Sequence, residues 1–190
     1  MTTSNDPILI NQILTGDVQA YATLVDIYKD RAVMLAYNIL LNREDAEEAA
    51  QDAFVKVYAS LHTFKATAAF STWLYRIVLN TALNKKKLKK HYFREVNESL
   101  DEELPAELNS ALAAQTTTEQ RKQIRLAMRA LNEKERICIT LFYLHELSVE
   151  EISELTGFTR SGIKVLLHRG RKNLYESFDK WIGKEIINLM

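Results

Sequence analysis

The stretch SVEEISELTGFTRSGIKVLLHRGRKN, Ser148 to Asn173, contains two helix starts and one helix stop in close succession. Ser148-Val149-Glu150-Glu151 sets a hydroxyl and a carboxylate three residues apart, a capping box in which each accepts from an amide left orphan at a helix start. Gly157 stops that helix, and Thr159 caps the next, where Ile163, Leu166, Leu167 and Leu174 supply apolar positions. A short helix, a tight turn and a longer helix with a basic exposed side make a helix-turn-helix, a device that sets its second helix in the major groove. Arg160, Ser161 and Lys164 occupy the early exposed turns that meet base edges, while Arg169, Arg171 and Lys172 suit phosphates. Helix pairs that bind no DNA share this pattern, so the motif by itself leaves a purely structural unit open.

Outward from this motif, the chain keeps a 3.6-residue apolar period, with only 2 prolines and 5 glycines in 190 residues. The fold class it predicts is all-α, with no strand. Asp6-Pro7 reads as a cap and first-turn pair for a helix ending near Leu14, and Asp17 caps a long helix running to about Leu41. Asn42 caps a third helix, on which Ala46, Ala49, Ala50, Ala53, Phe54, Val57, Tyr58 and Leu61 form one apolar stripe and Glu44, Glu47, Glu48, Gln51 and Asp52 the opposite face. A fourth helix begins near Ala69 and runs toward Arg94, with Phe70, Trp73, Leu74, Ile77 and Val78 as its buried stripe. Helices resume from Thr118 to Leu131 and from the Asn132 cap to about His145.

Between Ala53 and Arg94 there are nine Lys or Arg residues and no Asp or Glu, together with Phe70, Trp73, Tyr75, Tyr92 and Phe93. A basic, aromatic-rich window suits nucleic acid whose bases have left the duplex stack. Thr72, Arg76, Asn80 and Asn84 recur every fourth residue, so they share one helix face that leads into Lys85-Lys86-Lys87 and Lys89-Lys90. An amide at Asn80 or Asn84 is suited to a base edge; a solvated polar face ended by a lysine run is the alternative reading.

The formal net charge of zero hides a sharp partition: +3 over residues 1 to 94, −7 over 95 to 120 and +4 over 121 to 190. This predicts two small helical domains, 1–94 and 119–190, joined by an acidic linker, 95–118, in which periodicity fades. Cys138 is the only cysteine, which excludes an intrachain disulfide and a four-thiolate zinc site; between Ile137 and Ile139 it reads as a buried apolar thiol. His62, His91, His145 and His168 lack metal-ligand spacing, and the acidic group Asp45, Glu47, Glu48 and Asp52 has no histidine beside it, so neither a metal site nor an acid–base pair is expected. No cofactor is called for. No segment approaches the ~18 apolar residues of a membrane span, and a cytoplasmic protein is expected.

Taken in order, Asp45-Ala-Glu-Glu-Ala-Ala-Gln51-Asp52-Ala-Phe54, Phe70-Ser-Thr-Trp73-Leu-Tyr75-Arg76, Asn80-Thr-Ala, Leu147-Ser148-Val-Glu-Glu151-Ile152 and Ile163-Lys164-Val-Leu-Leu167-His168-Arg169-Gly-Arg171 closely resemble the extracytoplasmic-function sigma factors, the two-domain group of the sigma-70 family. The resemblance spans nearly the whole chain. It implies a dissociable RNA polymerase subunit that selects promoters and promotes strand opening, and not an enzyme.

On this resemblance the face bearing Glu47, Glu48, Gln51, Asp52 and Val55 docks on a helical clamp of the largest polymerase subunit. Lys65, Ser71, Thr72, Trp73, Tyr75, Arg76, Asn80, Asn84, Lys86 and Lys87 would hold the melted minus ten strand, including a flipped base. Thr159, Arg160, Ser161, Lys164, His168, Arg169 and Arg171 would read the minus thirty-five element. The acidic linker would pass through polymerase channels built for nucleic acid, and regulation would come from an anti-sigma partner in trans. The chain departs from the family pattern in the loop Phe64-Lys65-Ala66-Thr67-Ala68-Ala69, where members often have a glycine and an acid, and at Leu166, where many have a base. Gly162 and Gly170 are each expected to weaken the recognition helix by about 1 kcal/mol relative to Ala. The rival reading is an autonomous dimeric helix-turn-helix regulator, which would bind a palindromic duplex unaided with half-sites about 34 Å apart.

Overall fold

The computed structural model describes residues 5–92 and 118–188, and these are helical throughout apart from their turns. The expected acidic linker, all but its last residue, lies outside the described residues, as does Phe93. The chain divides into two compact units between Leu104 and Pro105.

In the first unit α1 is Asp6–Leu14, α2 Val18–Leu40, α3 Arg43–Ser60 and α4 Phe70–Tyr92, with a 3-10 turn at Leu61–Thr63. Helices α2, α3 and α4 pack mutually. Ala46, Ala49, Ala50 and Ala53 are buried, and such small side chains let the neighbouring helices come close to α3. Leu24, Tyr28, Leu35, Ile39, Phe70, Leu74, Val78 and Leu79 fill the space around them. The α2–α3 turn is short because Leu41 takes a left-handed backbone, φ +59°, and donates its N–H to Tyr37 O at 2.8 Å, after which Asn42 Oδ1 accepts from Asp45 N at 2.7 Å. Tyr58, assigned to the apolar stripe from the sequence, is instead 50% exposed, with its ring edge-on to Tyr21. Tyr21 donates its hydroxyl to Phe54 O at 2.5 Å, and burial pushes its phenol up to about 12.

Asp6 is not the cap expected from the sequence. Asn5 precedes the helix, and the buried Asp6 carboxylate accepts from the Tyr28 hydroxyl at 2.6 Å, which pins α1 to α2. A buried carboxylate needs such a donor to offset its lost hydration.

In the second unit α5 is Thr118–Ala130, α6 Glu133–Ile139, α7 Val149–Thr156 and α8 Arg160–Asn188. The helix expected from Asn132 to His145 widens after Ile139 into a π turn at Thr140–Leu144, with His145 N donating to Thr140 O at 3.2 Å. Buried Arg136 donates to Leu131 O at 2.8 Å and so satisfies a carbonyl left open where α5 ends. Cys138 is fully buried, and desolvation pushes its thiol up to about 11. Gly170 does more than weaken its helix: a Cβ there would lie 2.8 Å from Ile139 Cγ1, so its absence lets α8 pack close against α6.

Candidate nucleic-acid interface

Helix α4 carries the basic window, and the fold sorts its residues into three groups. Arg76, Asn80, Asn84 and Lys87 are exposed. Ser71, Thr72 and Tyr75 are buried; Ser71 Oγ has no hydrogen-bond partner among the described residues. The third group is tied to the neighbouring helices: Lys86 donates to Ile39 O at 3.1 Å, Lys85 lies 2.5 Å from Glu48 and 3.7 Å from Asp45, and Lys89 also pairs with Asp45. Sequence reasoning took the lysine run as one basic face. Its acidic partners stand some forty residues earlier, where the local pattern gives no sign of them.

At the head of α4, Phe64, Phe70 and Trp73 form a cluster with ring centroids 5.4 to 5.9 Å apart, and Phe70 also meets Tyr28 at 5.5 Å. Trp73 is half-buried in it, which fixes its ring while leaving part of it open to solvent. The loop before it exposes Lys65 and makes its bend at Ala66, φ +54°, a left-handed conformation that costs a residue with a Cβ roughly 1–2 kcal/mol. A rigid aromatic wall beside a one-per-turn row of Arg76, Asn80 and Asn84 can stack a base and reach its edge.

On the outer side of α3, Gln51, Asp52 and Val55 are exposed, Val55 by 70%. Glu47 is half-buried and paired with Arg43 at 2.8 Å. Glu48 is exposed and faces Lys85. The arrangement offers carboxylates and an amide around an apolar spot.

In the second unit the capping box of α7 is formed, with Ser148 N donating to Glu151 Oε2 at 2.9 Å and Glu151 N to Ser148 Oγ at 3.2 Å. Gly157 takes φ +75° at the turn, and Gly162 N donates to Thr159 Oγ1 at 3.1 Å. Arg160, Ser161, Lys164, His168, Arg169 and Arg171 are all exposed. At about 100° per residue, Arg160, Ser161, Lys164, His168 and Arg171 fall in one arc of roughly 100°, with Arg169 beyond it beside Val165. Arg160 reaches Glu150 at 3.6 Å, and Arg171 donates to the Tyr143 hydroxyl at 3.4 Å. Sequence reading missed the open groove flanking this arc, lined by Lys134, Phe158, Val165 and Leu166, because the nearly half-exposed Val165 and the half-buried Leu166 look like core positions in a helical pattern.

Two helical units, one with an aromatic and amide-lined basic face and one with a helix-turn-helix, present surfaces suited to nucleic acid. Residues 24–91 match the family model Sigma-70 region 2, and residues 121–174 match Sigma-70, region 4. Among curated relatives, the ECF RNA polymerase sigma factor SigW of Bacillus subtilis is 35% identical over 178 residues, covering 87% of this chain and 92% of that one. The ECF RNA polymerase sigma-E factor of Escherichia coli is 28% identical over 176 residues, covering 88% and 91%. Two solved structures share the fold: CnrH in complex with the cytosolic domain of CnrY, at 21% identity and a TM-score of 0.66 over 93% of this chain and 99% of that one, and RpoE in complex with the anti-sigma factor NepR from Bartonella quintana, at 19% and 0.69 over 85% and 98%. The chain belongs to the extracytoplasmic-function sigma factors of the sigma-70 family. It is therefore an RNA polymerase sigma factor acting in transcription initiation and not an enzyme, which sets aside the autonomous dimeric regulator. Among the described residues no helix is long and apolar enough to cross a membrane.

Proposed function

We propose a division of labour among the three exposed surfaces. Gln51, Asp52 and Val55, with Glu47 and Glu48 at their edge, dock on a basic helical clamp of core polymerase. Lys65, Trp73, Arg76, Asn80, Asn84 and Lys87 bind the melted minus ten strand. Ser71, Thr72 and Tyr75 support that surface, and Lys86 anchors it to α2. Thr159 shapes the start of the recognition helix, and Arg160, Ser161, Lys164, His168 and Arg171 read the minus thirty-five duplex, with Arg169 reaching phosphate. The domains are 1–94 and 119–190, and the acidic segment between them follows a nucleic-acid channel of polymerase.

The observation that carries this reading is the exposed row of Arg76, Asn80 and Asn84 one turn apart, running from the fixed edge of Trp73. Amides and a guanidinium beside an aromatic ring serve unpaired bases, which an ordinary solvated helix face does not require. The protein works in the cytoplasm and is held inactive by an anti-sigma partner in trans, a reading supported by the complex of the structurally similar RpoE with NepR.

Retention on immobilised core polymerase tests the docking surface. Asp52→Ala together with Gln51→Ala should abolish retention while leaving the free protein's helicity and its binding to single-stranded oligonucleotide unchanged. Retention equal to that of the unaltered chain would remove α3 from the interface.

A further inference from the structure

The acid-free window is less cationic on its surface than its sequence suggests. Lys85, its side chain only 16% exposed, lies 2.5 Å from Glu48 Oε2 and 3.7 Å from Asp45 Oδ1. Lys89, one turn further along α4 and 45% exposed, pairs with the other Asp45 oxygen. Two carboxylates from the first turns of α3 thus neutralise two ammoniums on successive turns of α4. The two carboxylates differ in position: Asp45 is 11% exposed and enclosed, whereas Glu48 is 66% exposed and stands one turn before Gln51 and Asp52. Glu48 therefore belongs to both the α3 docking surface and the α4 basic surface.

We infer that Asp45 and Glu48 hold Lys85 and Lys89 in reserve as phosphate contacts, one of which is released when a cationic protein surface takes Glu48. This rests on the reading of α3 as the polymerase-docking face. Once Glu48 is drawn away, Asp45 closely neutralises one ammonium only. Lys89, in direct contact with Asp45, keeps it; Lys85, 3.7 Å from that carboxylate and on a flexible four-carbon stem, turns outward. The coupling is reciprocal, so a phosphate that takes Lys85 also frees Glu48 for the docking partner. The free protein is thereby kept from spending its cations on arbitrary nucleic acid.

The test uses the full chain without polymerase, titrated with a fluorescent single-stranded oligonucleotide of arbitrary sequence across a salt series. Glu48→Gln should bind several-fold more tightly at low salt, with a log–log salt slope steeper by about 0.7, the value of one added phosphate contact on single-stranded DNA. Glu44→Gln removes the same charge from the same helix and should leave the slope unchanged. In a Lys85→Ala background Glu48→Gln should no longer steepen it. Equal slopes for Glu48→Gln and the unaltered chain, equal effects of Glu48→Gln and Glu44→Gln, or an effect that survives Lys85→Ala would each overturn the inference. Failure of the docking reading appears separately, as undiminished retention of Asp52→Ala with Gln51→Ala on core polymerase.

Discussion

At Ala66 a left-handed backbone is held by a residue with a Cβ, in the exposed loop that precedes the aromatic cluster. Ala66→Gly should raise stability by about 0.5–1 kcal/mol, the relief of strain less the extra freedom glycine gains in the unfolded chain, measured by urea unfolding. No gain would mean that the loop relaxes in solution. Gly170→Ala should do the reverse. Its helix-propensity gain of about 1 kcal/mol is outweighed by the 2.8 Å approach of the new Cβ to Ile139 Cγ1, for a net loss of roughly 1 kcal/mol in the unfolding of the second unit. From the sequence Gly170 looked merely unfavourable; packing against α6 gives it a role that no local pattern reveals. Asn80 and Lys87, both exposed on α4, should separate by kind. Asn80→Ala should cost ~1–3 kcal/mol at one minus ten base and relax preference there, whereas Lys87→Ala should weaken all promoters alike and lower the salt slope by about one. Equal shifts in base preference from both variants, seen in transcription from a promoter set, would contradict this assignment.

Helix starts were the most legible elements, because a cap is local chemistry. Asp17, Asn42, Asn132 and Ser148 each accept from an amide in the first turn, as their positions before apolar-periodic runs implied. Asp6 misled because a carboxylate ahead of Pro7 resembles a cap, while its true partner, Tyr28, lies 22 residues away. The π turn at Thr140–Leu144 was equally invisible, since one widened turn hardly disturbs an apolar period. The buried stripe of α4 was readable from its spacing, but which of its polar residues reach solvent was not: Thr72 shares a row with Arg76 and Asn80 and is nevertheless only 2% exposed, near the head of the helix. Helix α7 has only eight residues and depends on its capping box. Ser148→Ala should therefore cost about 1 kcal/mol and loosen the helix-turn-helix. Hydrogen exchange on residues 149–156 should be faster in Ser148→Ala than in the unaltered chain, with α3 unchanged, and equal protection in the two proteins would show that packing alone holds α7.

For the whole molecule, the charge partition along the chain points to two helical units, and the described helices fall in two compact units, one within residues 5–92 and one within 118–188. Composition places the first proteolytic cut between Glu95 and Thr118, where charge is dense and apolar surface scarce. First cleavage inside residues 43 to 90 would contradict that organisation. On the proposed division of labour, each unit should bind DNA weakly alone. Unstacking and unpairing cost a few kcal/mol per exposed base, and the first unit is too small to supply that for several bases at once. Core polymerase would fix the separation of the two grips, so that engagement of one raises the effective concentration of the other. The most direct test is gel shift and permanganate footprinting on one promoter duplex, with and without core polymerase. The free protein should show weak, salt-sensitive binding with little preference over random DNA and no reactive thymines, and the mixture should show tight, specific binding with reactive thymines confined to the minus ten region. Tight, sequence-specific binding or strand opening by the protein alone would contradict the account.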